Sequence, residues 1–495
     1  MNDRHDLQLV LGSGMPIIVI ETADEGRFLE LLTAIAVSAP ASAYRPVFRW
    51  SVTDGLQRLD LDLEAQRHNS EPTDALRHIR AVQTPGLYAL LDFHPFLADP
   101  VNTRLLKDIA LGPGKSGTVV LLISHEIKLP PELEGLSARF SMRFPDAPMR
   151  EAIIHELIEA YRAEHPRECV EVDPKALALL VENLGGLSHA DTTRLARNAV
   201  YRDGAITAND VPMVMQAKYE LLNRGGVLSY EYDTAGFGDI AGFRNVKVWL
   251  KQRASAFSTR RPTELDVPKG ILLLGVQGCG KSLAAKAAAS VFGLPLLRLD
   301  FGALYNKFHG ETERNLRESL KTAELMSPCV LWLDEIEKGL ATGEGDSGTS
   351  QRVLGSLLTW MAERKSSVLL VATANDIEAL PPELVRKGRF DEVFFVDLPN
   401  GTRRAEILTI HLRKRGLDPA RFDLAALTAA SDGFSGAEIE QGIVSALYAA
   451  HAMQQTPSPA HVVAEFRKTR PLAVLMREHV GALRAWARDR TVAAD

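Results

Sequence analysis

Short apolar runs bounded by turn residues recur along the chain. In the second half they are Gly270-Ile271-Leu272-Leu273-Leu274, Cys329-Val330-Leu331-Trp332-Leu333 and Ser367-Val368-Leu369-Leu370-Val371-Ala372-Thr373-Ala374. Uninterrupted runs of this length predict buried strands. Between the first two, Leu283-Ala284-Ala285-Lys286-Ala287-Ala288-Ala289 is strongly helix-forming, and an amphipathic helix is predicted from Phe243 to about Arg253. The first half carries its own apolar runs, Pro16 to Ile20, Tyr88 to Leu91 and Val119 to Ile123, followed by an amphipathic helix over Arg150 to Arg162. The tail from Ala464 to Arg490 reads as one or two helices broken at Pro471. No apolar stretch approaches the roughly 18–20 residues of a membrane span.

The link between the first strand and helix of the second half is Gly275-Val276-Gln277-Gly278-Cys279-Gly280-Lys281-Ser282, which satisfies G-x-x-x-x-G-K-[ST] in full. The chemistry requires these residue types. Gly275, Gly278 and Gly280 let the backbone curl so that its N–H groups point at phosphate oxygens. Lys281 places a charge on the β- and γ-phosphates, and the Ser282 hydroxyl can ligate Mg2+. Strand, glycine loop and helix together put phosphates on a helix N-terminus. An ordinary Gly-rich turn would leave Lys281-Ser282 without a purpose. Cys279 is most simply a small tolerated side chain, the alternative being a redox-sensitive site, which needs an activating environment.

Two further runs end in polar groups suited to the same chemistry. The Cys329–Leu333 strand ends in Asp334-Glu335, where Asp334 would hold the Mg2+ shell and Glu335 would polarise an attacking water. The next strand ends in Asn375, an amide that can orient water or touch a γ-phosphate, or simply form a turn. Beyond it, Leu380-Pro381-Pro382-Glu383-Leu384 leads to Arg386 and Arg389, three residues apart. An arginine supplied in trans to a γ-phosphate neutralises charge that builds in the transition state.

With these residues in this order, positions 233 to about 475 resemble an AAA-type ATPase module of the branch carrying the second region of homology. The resemblance implies a P-loop α/β fold, a parallel sheet with flanking helices and a helical lid. It makes Asp239-Ile240-Ala241-Gly242 the adenine-side entry, Asn375 the sensor-1 residue and Arg386/Arg389 the arginine-finger pair. Gly436-Ala437 becomes the start of the lid helix near the nucleotide, and Gln277, Cys279 and Leu283 join the nucleotide contacts. Tyr305 to Arg317 resembles the pore-loop stretch. In a ring, Lys307 and Phe308 would then face a central channel and grip an extended polypeptide; otherwise Phe308 packs under its own helix. Fingers supplied by a neighbour imply a homo-oligomer, usually a hexamer, closed and heterologous.

The first half is a weaker second copy. Val119 to His125, Leu129-Pro130-Pro131-Glu132-Leu133 and Arg139-Phe140 follow the same order as Val368 to Asn375, Leu380 to Leu384 and Arg389-Phe390, and Tyr88 to Phe93 parallels Val330 to Glu335. The chemistry is altered. The opening strand leads into Glu21, Asp24 and Glu25, acids that would repel phosphate, and Phe93 stands in place of the glutamate. The expected organisation is a degenerate AAA-like α/β domain over 1–147, a helical part over 148–222, a catalytic α/β part over 223–399, and a helical lid with terminal helices over 400–495. Gly114-Lys115-Ser116 is no second phosphate loop, since Ile109 stands where its first Gly belongs. His155-Glu156 resembles the start of a zinc-protease helix, but Glu159 stands where the second His is required. The overall layout is similar to a group encoded in cyanobacteria, some chloroplast genomes and other bacteria.

Composition narrows the function classes. Apolar content of 46% and charged content of 24% are ordinary for globular chains, and a net charge of −6 disfavours a general nucleic-acid binder. Three cysteines exclude a disulfide framework and fit a reducing compartment, cytoplasm or plastid stroma. The expectation is a Mg-dependent ATPase that remodels a protein client as a ring; the alternative is an ATP-state switch or scaffold that regulates a partner without threading.

Overall fold

Each set of apolar runs becomes one sheet. The computed structural model describes residues 3–495 apart from 23, 42, 62–68, 83, 113–116, 167–169, 224–226, 233–235, 237, 239, 258–265, 305–310, 341–346 and 387. Asp239, Lys307, Phe308 and the Gly114-Lys115-Ser116 loop lie outside the described residues. The chain divides into two units, Met1–Met149 with Leu187–Arg194, and Arg150–Gly186 with Leu195–Asp495.

In the first unit, β1 (Ile17–Glu21), β2 (Val47–Ser51), β3 (Gly55–Arg58), β4 (Leu87–Leu91), β5 (Val119–Ser124) and β6 (Ser137–Phe140) form a sheet of order β3-β2-β4-β5-β1-β6. All its pairings are parallel except the β2–β3 hairpin. In the second unit, β7 (Glu171–Val172) and β8 (Ala205–Ile206) form a small ladder. The large sheet there contains β9 (Leu228–Glu231), β10 (Gly270–Gly275), β11 (Leu296–Asp300), β12 (Cys329–Asp334), β13 (Val368–Ala374), β14 (Glu392–Val396) and β15 (Val492–Ala493), in the order β15-β14-β10-β13-β12-β11-β9. The run β14-β10-β13-β12-β11 repeats β6-β1-β5-β4-β2 strand for strand, and each sheet adds an antiparallel strand beyond the last of these. The repeat sensed in the sequence is a repeat of topology.

The apolar runs are continuous because both faces of the large sheet are covered. Leu272, Leu274, Leu331, Leu333, Leu370 and Ala372 belong to one core cluster, while Ile271, Leu273, Val330, Trp332, Leu369 and Val371 belong to another. That alternation is the two-residue period of a strand with helices on either side. β10 needs glycine at both ends. A Cβ on Gly270 would lie 2.1 Å from the Leu370 carbonyl oxygen, and one on Gly275 2.0 Å from that of Val396.

Part of the helical stretch after residue 148 packs on the large sheet of the second unit. Met215 and Tyr219, on the helix Asp210–Leu222, sit in the same cluster as Leu297 and Leu320 of the second unit. The buried Lys218 ammonium donates to the carbonyls of Asn183 (2.9 Å) and Gly185 (2.6 Å). An apolar helix face states how much must be buried, not against which sheet. The tail forms helices Pro459–Lys468, Leu472–Leu475 and Arg477–Ala487, broken around Pro471 as expected. Trp486 packs against the core, and Arg484 grips Asp397 with Nε and Nη2 at 2.9–3.0 Å. No described helix is long and apolar enough to cross a membrane.

Candidate active site

The site forms where β10, β12 and β13 end. Gly278 (φ 76°) and Gly280 (φ 91°) take the left-handed backbone that only glycine adopts without strain, turning the loop into the helix Lys281–Phe292. Lys281 is buried, and its ammonium turns back to donate to the carbonyls of Gly275 and Val276, both at 2.8 Å. Its pKa is lowered to about 8, by burial above all, against the opposing pull of Glu337, Glu335 and Asp334. Burial also pushes the Cys279 thiol up to about 12. A thiol so far from ionising at neutral pH does not suit a redox switch, so Cys279 fits the small-side-chain reading.

Asp334 closes β12 and Glu335 follows with φ 47°. Thr373, on the neighbouring β13, donates its hydroxyl to Asp334 Oδ1 at 2.9 Å and accepts the Glu335 N–H at 3.1 Å. Asn375 Nδ2 donates to Glu335 Oε1 at 3.2 Å, and Lys338 pairs with the other carboxylate oxygen. Asn375 is thus bonded to the glutamate itself. On β11, Arg298 donates to Asp334 Oδ2 at 2.8 Å.

The lid meets the loop through backbone. Ser435 and Glu438 form a reciprocal capping box at the start of the helix Gly436–Ala452. That holds the Ala437 N–H 3.0 Å from the Gly278 carbonyl. A Cβ on Gly436 would come within 3.3 Å of the same oxygen, a tight approach that glycine avoids.

These groups enclose a cleft of about 540 Å³ lined by the loop residues Gln277 to Leu283, by Ile240, by Asp334, Glu335 and Asn375, and by Gly436-Ala437. Gly275 stands at its base through the Lys281 bond. Gly242 lies beside it, its N–H donating to Glu406 Oε2 at 3.3 Å. Arg386 is exposed, Arg389 half-buried, and neither lines the cleft. Sequence reading missed Thr373, Arg298, Phe243, Ile407, Ile410 and His411. Phe243 (φ 56°) precedes the helix Arg244–Arg253, and with Ile407 and Ile410 gives the cleft an apolar end. Burial pushes the His411 imidazole below its ordinary value, favouring the neutral form. The Ser435-x-x-Glu438 box was the one local signal available for any lid contact.

The donors fit a nucleotide and its divalent ion. The buried Lys281 cation is satisfied by carbonyls rather than by a carboxylate, and Ser282 with Asp334 offers the hard oxygen donors that Mg2+ takes. A pH dependence follows. Lys281 has a pKa near 8 in the free protein, and a bound polyphosphate raises it toward the ordinary 10.5, so binding takes up a proton between those values. Nucleotide affinity is therefore expected to be level below pH 8 and to fall above it, by up to about tenfold per pH unit. Titrating affinity from pH 7 to 10 checks this: Lys281→Gln should flatten the profile, and a flat wild-type profile refutes it.

Comparison with known proteins agrees with this geometry. Residues 271–398 match the model of the ATPase family associated with various cellular activities (AAA). Residues 3–142 match the SpoVK-like AAA ATPase N-terminal domain, and 150–225 match the second domain of the same type. The AAA domain-containing protein ycf46 of Pyropia yezoensis is 35% identical over 495 residues, covering 99% of this chain and 98% of that one. The proteasome-activating nucleotidase of Aeropyrum pernix is 38% identical over 38% of this chain and 47% of its own. The ATP-dependent zinc metalloprotease FtsH of Acidothermus cellulolyticus is 32% identical over 46% of this chain and 35% of its own.

Proposed function

This chain belongs to the AAA ATPase family, in its ycf46 group, and on that premise we propose that it hydrolyses ATP to drive the remodelling of a protein client as a ring-shaped homo-oligomer. The observation that carries the reading is the convergence of Lys281, Asp334, Glu335 and Asn375 on one cleft closed by the lid residues Gly436-Ala437. The loop N–H groups and Lys281 would hold the phosphates, with Ser282 and Asp334 holding Mg2+. That ion, when bound, would neutralise charge on the β- and γ-phosphates. Glu335, held by Asn375, would accept a proton from the attacking water. It must first be released from Lys338, whose ammonium covers its second oxygen. Arg386 and Arg389, lying off the cleft of their own subunit, would complete a neighbour's site, and Lys307 and Phe308 would grip the client. The client itself would be an extended polypeptide, and the compartment cytoplasm or stroma.

The reading is tested by the light-scattering mass of Glu335→Gln with and without Mg-ATP. A rise to about six chains, the closed ring expected of head-to-tail assembly, supports it. A mass fixed at one chain overturns the ring and leaves the alternative, an ATP-state switch that regulates a partner without threading. The first unit, which keeps the strand order without the phosphate loop, favours that alternative as a docking platform.

A further inference from the structure

The first unit is not chemically silent where its phosphate chemistry is missing. At the ends of β4 and β5, Asp92, His94 and His125 each offer a ligand atom, and these atoms lie within 4.8 Å of one another. Their anchor is Ser124, the last residue of β5, which is fully buried. Its Oγ lies 2.8 Å from Asp92 Oδ1, 2.9 Å from His94 Nδ1 and 3.3 Å from His125 Nδ1. One hydroxyl has one proton and two lone pairs. Donation to the Asp92 carboxylate with acceptance from both imidazole Nδ1–H groups uses all three, an assignment that keeps the Nε2 of each ring out of the hydroxyl's hydrogen bonds. The two rings stand edge to face with centroids 5.1 Å apart.

The backbone is shaped to present these groups. Asp92 adopts φ 49° while its N–H donates to the Ile123 carbonyl at 2.9 Å. Phe93 is buried against Trp50, ring centroids 5.2 Å apart, and pins the turn from which His94 projects. The side chains of Asp92 and His94 are 62% and 30% exposed, so an ion can enter from solvent. The place matters as much as the residues. Ser124 Oγ on Asp92 Oδ1 repeats Thr373 Oγ1 on Asp334 Oδ1 in the second unit, on strands paired in the same register. Strand ends of an α/β sheet are where such folds place ligands. In the second unit the strand ends carry oxygen donors, Asp334 and Glu335; in the first the set is dominated by imidazole.

We propose that Asp92, His94 and His125 form a binding site for a first-row divalent transition metal such as Zn2+, with Ser124 positioning all three ligands. Two imidazoles and one carboxylate suit zinc rather than Mg2+ or Ca2+. Zinc bonds near 2.0–2.1 Å require the ligand atoms to draw closer than in the metal-free geometry, a movement within reach of side-chain rotation at an exposed site. Three protein ligands leave a coordination position open for water or an anion.

The test uses the full chain, stripped with EDTA and free of nucleotide, with Zn2+ and Co2+ alone as probes. Competition against a chromophoric chelator should give one Zn2+ held by wild type and lost in the His94→Ala/His125→Ala double variant. His155→Ala, at an exposed position of the helix Ala147–Glu164 and outside the cluster, should match wild type. Ser124→Ala should weaken Zn2+ about 10- to 100-fold, as loss of an outer-shell partner does. Co2+ should give visible ligand-field bands in wild type that shift in Asp92→Asn. Equal Zn2+ affinity in wild type and the double variant overturns the site. If the double variant does not fold, the absence of Co2+ bands in wild type, or bands unmoved by Asp92→Asn, overturns it equally.

Discussion

Glu335→Gln is expected to lower ATP turnover by about 10²- to 10⁴-fold, the usual contribution of a positioned general base, while nucleotide affinity changes little. The carboxylate lines the cleft but is not among the groups that would grip the phosphates. The Asn375 amide holds one oxygen at 3.2 Å and Lys338 takes the other. A glutamine of the same shape keeps the space filled, and its carbonyl oxygen can still accept from Asn375. What it cannot do is take a proton from water. Single-turnover hydrolysis measured beside equilibrium nucleotide binding separates the two effects. Turnover within about threefold of wild type, against the size expected of a general base, removes Glu335 from the chemistry. Equal losses of binding and turnover would make it a structural part of the cleft.

Arg389→Ala is expected to cost about 10³- to 10⁵-fold in turnover if it is a finger supplied in trans, with Arg386→Ala in the same direction. Arg389 Nη1 is buried without a hydrogen-bond partner among the described residues, and Arg386 is exposed. Neither lines the cleft of its own subunit, so a direct contact with a bound nucleotide would have to be made in a neighbour. Mixing decides the question. Arg389→Ala chains keep an intact cleft, and Glu335→Gln chains keep intact arginines. A mixture of these two inactive proteins should recover turnover where a wild-type arginine meets a wild-type cleft. Recovery supports action in trans. No recovery, with Arg389→Ala inactive alone and nucleotide still bound, places the arginine's effect within its own chain.

The difference between what could and could not be foreseen is clear at Asp334. Its place at the end of a buried run was legible from Cys329 to Leu333 alone. Its partners were not. Arg298 reads in sequence as a charged residue interrupting Leu296-Leu297-Arg298-Leu299, with no stated role. Only the pairing of β11 with β12, Asp300 opposite Asp334, sets its guanidinium against that carboxylate. Thr373 looked like one more small residue in an apolar strand until β13 placed it beside β12. The metal cluster was hidden for the same reason: Asp92 and His125 are 33 positions apart and joined through Ser124. The helical part expected over 148–222 carried no sign of which sheet its helix Asp210–Leu222 would pack on; that appears only in the fold.

The amino-acid sequence by itself determined the central apolar strands, the glycine loop with its Lys281-Ser282, and the order of the repeat. These rest on local physics: uninterrupted apolar runs where both strand faces are covered, glycines where the backbone is left-handed or crowded, and Lys281-Ser282 where a helix begins on the glycine loop. The tertiary structure alone decided which side chains share a site. It set Arg298 and Thr373 on Asp334, the lid backbone on Gly278, and three metal-ligand groups around Ser124. Those contacts depend on strand register and helix packing between segments far apart in the chain, and local propensity carries no information about either.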